Sequence, residues 1–324
     1  MKLGNEKMLR KADMQFIIEN NCYNIEAIKS IMPYFKPLID NVLISQKILS
    51  LDYFVIADSL EENYAETVNK YASIVGTDTY ITQDGIYYTA GKSLDGIDEN
   101  GNLHQAIVIK SSVWVCAAYE YLNSKGQLME GALELMNTPK FMSLALILHE
   151  IGHAIDNENQ YKISGTVDTK VLYDLEYEYD DYIKSTALSL WGEYFAESFA
   201  YNIIHLTDES TGEKESELEK CIGTYSIGTD RNTLLDRVYR ILYLFVFQIA
   251  YVHQSGNFST TFNYSKYEEN ELFSLYISLF ARTEIAIINL YRTYPHWESY
   301  EQLDELSNIL KDFILFEYKR QKTD

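Results

Sequence analysis

The sequence predicts a mostly helical α+β fold: a small β-sheet in the first half and a helical bundle at the C-terminal end. Three observations predict it. Amphipathic patterns over 232–253, 268–294 and 299–322 are long and helix-spaced. Only short runs, chiefly 53–57 (YFVIA) and 105–110 (QAIVIK), have the β-branched, apolar character of strands. Apolar residues make up 47% of the 324 and aromatics 14%, enough for a full core and too many for a disordered chain.

The elements follow in order. Residues 5–50 read as helices broken at Pro33 and Pro37. After the strand at 53–57, Asp58 and Ser59 can cap a helix that runs to about Val75 and closes at Gly76. Residues 79–82 and 86–89 flank Gln83-Asp84-Gly85 as a β-hairpin. Residues 92–103 read as a loop rich in Gly, Asp and Asn. Its DGIDENGN portion lacks the register and distal glutamate of a calcium-binding EF-hand, so a plain turn is expected. The strand at 105–110 could be an edge that pairs with an extended peptide, or an ordinary core strand. Helices are expected near 113–123, 127–136, 140–156 and 188–205. The stretch 157–187 is polar and acidic, and 207–219 is linker-like. The chain thus divides into a helical segment (1–50), a central α+β unit (51–207) and a helical C-terminal subdomain (208–324).

Composition excludes several function classes. A formal net charge of −21 would repel a phosphate backbone, so no nucleic-acid partner is expected. The three cysteines, Cys22, Cys116 and Cys221, lack metal-ligand spacing and are odd in number, which suits free thiols in a reducing compartment. The N-terminus has no apolar core or small-residue cleavage site of a leader, so a cytoplasmic location is expected. The longest apolar run, 241–252, is too short to span a bilayer and contains Gln248, so no membrane partner is expected either.

The chemistry concentrates in 148–156, LHEIGHAID. His149 and His153 stand four apart in a helix-like run, so both imidazoles can reach one metal ion from one face. Glu150 is offset by about 100° and can reach a water beside that ion. The preceding FMSLALI run marks the helix as buried, where unpaired polar groups are costly. A third ligand is needed. Forty residues on, in WGEYFAESFA, Glu193 and Glu197 share one face of a second aromatic-rich helix. Glu193 can complete the ligand set, leaving a fourth position open. Glu197 can accept the remaining ring N–H of a ligating histidine and fix its tautomer.

HEIGHAID followed by GEYFAESFA resembles the gluzincin zinc metallopeptidases, most closely the anthrax lethal factor catalytic domain and the Pro-Pro endopeptidases of Gram-positive bacteria. It is also similar to the intracellular metallopeptidases that cleave phage-type repressors. The resemblance covers about residues 140–205. It implies a zincin-like catalytic domain over 51–207, a bacterial origin, bound Zn2+ held by His149, His153 and Glu193, and Glu150 as general base in hydrolysis of a protein or peptide substrate. Those families place an oxyanion-stabilising tyrosine seven residues before the glutamate ligand. Here that residue is Thr186, so Tyr182, Tyr179 and Tyr194 are the candidate donors. Gly165-Thr166-Val167-Asp168 offers Asp168 as a competing ligand, and Asn159 stands where a third histidine of the metzincins would fall. A catalytically weak zincin serving as a regulatory or protein-binding module is the alternative reading. No sequence feature sets the oligomeric state.

Overall fold

A computed structural model describes residues 14–22, 25–77, 90–127, 142–164, 179–204, 231–255 and 271–323. The hairpin expected at 79–89, the helix at 127–136 and Asp168 lie outside them.

The sheet has four strands: β1 (Gln15–Ile18), β2 (Leu51–Ala57), β3 (Gly91–Ile97) and β4 (Leu103–Lys110). Their order is β1-β2-β4-β3, with β1, β2 and β4 parallel and β3 antiparallel to β4. The continuous apolar runs of β2 and β4 follow from burial on both faces. Phe54, Ile56, Ile107 and Ile109 point into one core; Val55, Ala57, Ala106 and Val108 point into the other. Helix α2 (Glu61–Val75) covers the second face and ends at Gly76, whose φ of 82° is the left-handed conformation that glycine accommodates. On the first face lie α1 (Ile25–Gln46), α3 (Ser111–Ser124) and α4 (Met142–Ser164).

Two N-terminal expectations are corrected. Gln15–Ile18 is a strand that pairs with β2, where helix was expected. Helix α1 runs unbroken through Pro33 and Pro37. Each proline removes a helical donor, but both are exposed on one face, where water can satisfy the freed carbonyls. The opposite stripe, Ile28, Ile31, Phe35 and Ile39, is fully buried and anchors the helix on the core.

The loop expected over 92–103 is also corrected. Its first part is β3, paired residue for residue with β4 from Gly91↔Ile109 to Ile97↔Leu103. The turn between them is organised by Asp98, whose Oδ1 accepts from the backbone N–H of Asn100 (2.9 Å) and Asn102 (2.8 Å). Strand β4 is therefore central, and β3 is one of the two outer strands among the described residues.

Helix α5 (Tyr179–Ile204) joins the two halves. It begins well before residue 188, and α4 continues past residue 156, so both ends of the polar stretch 157–187 are helical. Ala200 of α5 packs in the sheet-side core, while Ile183, Leu190, Trp191 and Tyr194 belong to the core of the helical bundle. That bundle comprises α6 (Arg231–Ser255), α7 (Glu271–Thr293) and, after a 3-10 turn at Tyr300–Leu303, α8 (Asp304–Thr323). Among the described residues no helix is long and apolar enough to cross a membrane.

Candidate metal centre

The site forms where α4 and α5 cross. The crossing is close because Gly152 presents no side chain: a Cβ there would lie 2.6 Å from the Cα of Ala196. On α4 His149 stands three residues before Gly152 and His153 directly after it, and on α5 Glu193 and Glu197 stand in the same way about Ala196. The two four-residue spacings thus face each other across a contact made of small residues.

His149 Nε2 and His153 Nε2 are 3.0 Å apart. Glu193 completes the set, with Oε2 3.4 Å from His149 Nε2 and Oε1 3.8 Å from His153 Nε2. The imidazole planes are nearly perpendicular, at 85°. Four ligand atoms arranged tetrahedrally at about 2.0–2.1 Å from one ion stand roughly 3.3 Å apart. The three observed separations bracket that value, so His149, His153 and Glu193 could hold a metal ion. Behind them, Glu197 Oε2 accepts from His149 Nδ1 at 3.0 Å, which presents His149 Nε2 to the cleft.

The electrostatics of the cluster are compatible with a bound cation. Burial opposes charge on His149, but its hydrogen bonds to Glu193 and Glu197 outweigh burial and raise its pKa above the usual imidazole range. For His153, burial and the charge on His149 lower it, against the pull of Glu193. Two ring nitrogens this close cannot both be protonated, and one cation between them and Glu193 resolves the conflict. Burial raises the pKa of Glu193 too, yet His153 and His149 overcome it, so Glu193 is held ionised.

Glu150 lines the same cleft but is not among the donors. Its side chain is confined by β3: a Cβ at Gly91 would lie 2.8 Å from Glu150 Cγ, so only glycine leaves the space. Burial raises the Glu150 pKa above the usual carboxylate range, with His149 and Lys92 opposing.

The cleft has three walls. Strand β3 supplies Lys92, Ser93 and Asp95; α4 supplies Asn157 and Gln160 beyond the histidines; α5 supplies Ser185, Leu188, Ser189 and Gly192. The third wall includes Tyr243 of α6. Sequence reasoning missed Tyr243, Lys92 and Asp95. Nothing singles out Tyr243 among 28 tyrosines, and Lys92 and Asp95 fell in the segment expected to be a loop. Asp156, the last residue of HEIGHAID, is buried and accepts from Trp191 Nε1 (3.2 Å), Gln160 Nε2 and the Tyr294 hydroxyl. It ties α4 and α5 to the residue after α7.

None of the expected oxyanion tyrosines lines this cleft. Tyr179 is exposed at the start of α5, and Tyr182 packs against the bundle core. Tyr194 is fully buried, and its hydroxyl is hydrogen-bonded to His253 Nδ1. Thr186 is buried within α5 and does not face the cleft. The described cysteines are free: Cys22 is buried, its thiol pushed up to about 11 chiefly by burial, and Cys116 is half-buried. In comparisons with models of protein families, with curated proteins and with solved structures, nothing matches this chain.

Proposed function

We propose that this chain is a zinc-dependent endopeptidase of the gluzincin type, in which His149, His153 and Glu193 hold the metal and Glu150 is the general base. The observation that carries this reading is the position of Glu150. It is a buried carboxylate in the same cleft as a three-donor set, and it is not itself a donor. A structural zinc site closes with four protein ligands, whereas a hydrolytic site keeps one position open beside a proton acceptor. Two imidazoles and a carboxylate suit zinc among the divalent metals. When bound, zinc would supply Lewis acidity, making water more acidic and a carbonyl carbon more electrophilic.

The chain's own residues supply the remainder. The close approach of β3 at Gly91 confines the Glu150 side chain, whose carboxylate takes the proton of the attacking water. Glu150 then returns that proton to the amine nitrogen as the C–N bond breaks. Glu197 keeps His149 in one tautomer throughout. Strand β3, an outer strand and a wall of the cleft, offers main-chain groups to an extended peptide.

The test is elemental analysis together with mass-spectrometric profiling of a peptide library by wild type and Glu150→Gln. Wild type should carry one zinc per chain and cleave peptides. Glu150→Gln should keep the zinc and the fold and lose hydrolysis by several orders of magnitude, on the order expected when a proton acceptor is removed. Wild-type rates in Glu150→Gln, or a wild type that binds no zinc, would overturn the proposal.

A further inference from the structure

Helix α6 lies alongside α5 in a fixed register. Ser189 Oγ and the Tyr239 hydroxyl are 3.3 Å apart, and the rings of Tyr201 and Tyr251 meet edge to face at 5.8 Å. Both pairs are separated by 50 residues, so over this stretch the helices run parallel with a constant offset. Glu193 lies between Ser189 and Tyr201, and the same offset sets Tyr243 level with it. The placement agrees with Tyr243 lining the cleft beside His149, Glu150, His153 and Glu193.

Tyr243 is held there by packing on both sides. Its ring lies 4.4 Å from that of Phe247 and 6.0 Å from that of Tyr239, giving an aromatic ladder one helical turn per rung. Phe247 in turn lies 5.9 Å from the His149 ring. The neighbours of Tyr243 on α6, Leu242, Leu244 and Phe245, are buried in the bundle core, so the helix cannot roll. Tyr243 itself is half-buried, and its hydroxyl makes no hydrogen bond to a described side chain.

Resting on the peptidase reading above, we propose that Tyr243 is the oxyanion donor of this site, supplied by the C-terminal bundle instead of the helix that carries Glu193. When water adds to the scissile carbonyl, the new C–O bond forms and the π pair moves onto the carbonyl oxygen. The Tyr243 O–H donates a hydrogen bond to that oxygen, then loses this partner's charge when the C–N bond breaks and Glu150 passes its proton to the amine. The phenol keeps its own proton throughout. The interaction strengthens only as negative charge develops, so it acts on the chemical step more than on substrate binding. It also makes the bundle part of the active site.

Tyr243→Phe isolates the hydroxyl, because the ring and its ladder remain. For a peptide that the wild type cleaves, kcat should fall about 10²–10³-fold, the usual effect of removing one oxyanion donor, with KM unchanged. Zinc content and melting temperature should match the wild type. Affinity for a phosphonamidate analogue of that peptide should fall by a similar factor. Binding of the uncleaved peptide, measured in the Glu150→Gln background with and without Tyr243→Phe, should be equal. Wild-type cleavage together with an unchanged kcat in Tyr243→Phe would overturn this inference alone. A loss confined to KM, or an unchanged phosphonamidate affinity, would do the same. A wild type that binds zinc but cleaves no peptide in the library would overturn it together with the peptidase reading.

Discussion

Replacing Gly152 with alanine tests whether the close crossing of α4 and α5 sets the metal centre. The added Cβ would lie 2.6 Å from Ala196 Cα and 3.1 Å from Ala196 O. Both are backbone atoms, so no side-chain rotation relieves the clash. Carbon atoms rest at about 3.5–4.0 Å, so the helices must part by about 1 Å. Overpacking of this kind costs about 1–3 kcal/mol, which lowers the melting temperature by a few degrees. The effect on the site is sharper. Glu193 stands 3.4 and 3.8 Å from the two histidine nitrogens. Two donors bound at about 2.0–2.2 Å cannot be more than about 4.4 Å apart. A further 1 Å takes the His153 pair past that limit, so on the proposed reading zinc would either lose Glu193 or pull the helices back against the strain. Coupling of about 1–3 kcal/mol weakens binding about 5- to 150-fold. Competition against a fluorescent chelator measures the affinity, and a thermal melt of the metal-free protein measures the strain. A Gly152→Ala protein with wild-type melting temperature and wild-type zinc affinity would refute the argument that helix proximity assembles the ligands.

The two glutamates of α5 should separate in the same chelator assay. Glu193→Ala should release zinc to a mild chelator, whereas Glu197→Ala should weaken binding only about 10- to 100-fold, because it orients His149 without touching the metal. Equal losses in the two variants would remove the distinction between ligand and support. Away from the site, His104 sits between Asp52 (Nδ1–Oδ2 2.6 Å) and Asp98 (Nε2–Oδ2 3.3 Å). Burial lowers its pKa, but its hydrogen bonds to the Asp52 and Asp98 carboxylates prevail and raise it above the usual imidazole value. A raised imidazole stabilises the fold fully below its unfolded value and ceases to do so as pH rises through its folded value. His104→Gln should therefore destabilise most in mildly acidic urea titrations, with the gap to wild type narrowing toward alkaline pH. A gap that widens with pH would contradict the assignment.

What the sequence disclosed follows from which features are local. The spacing within HEIGHAID and within GEYFAE is a property of one helix each, so the facing of His149 with His153 and of Glu193 with Glu197 was legible before any tertiary structure was known. That Glu197 would accept from one of the two histidines was legible too, because a buried carboxylate needs a partner; that it is His149 comes from the packing of the helices. The long helices of the bundle were readable from their period, and β2 and β4 from their apolar runs. Strand β3 was not, since KSLDGI has neither alternation nor β-branched density. Pairing with β4 makes it a strand, and that is a tertiary effect. Helix α1 misled in the opposite sense: its prolines carry a local penalty that a buried apolar stripe overrides.

Tyr243 shows where such reading ends. Within the run 241–252 it is one apolar-looking residue of a core helix, and a core helix is what α6 is. Its place in the cleft depends on the parallel register of α6 against α5, set by contacts such as Ser189 with Tyr239 and Tyr201 with Tyr251. Those contacts join residues 50 apart through a segment with no readable constraint on its path. A family pattern points instead to position 186, where the residue is a buried threonine. Oxyanion donation requires only a hydroxyl near the carbonyl oxygen, and the same point in space can be reached from a second helix. His149 and His153 are bound to each other by helical spacing, as are Glu193 and Glu197, so each of those two sequence patterns is rigid. The proposed donor is tied to both pairs by packing alone, so its position in the sequence is free to differ.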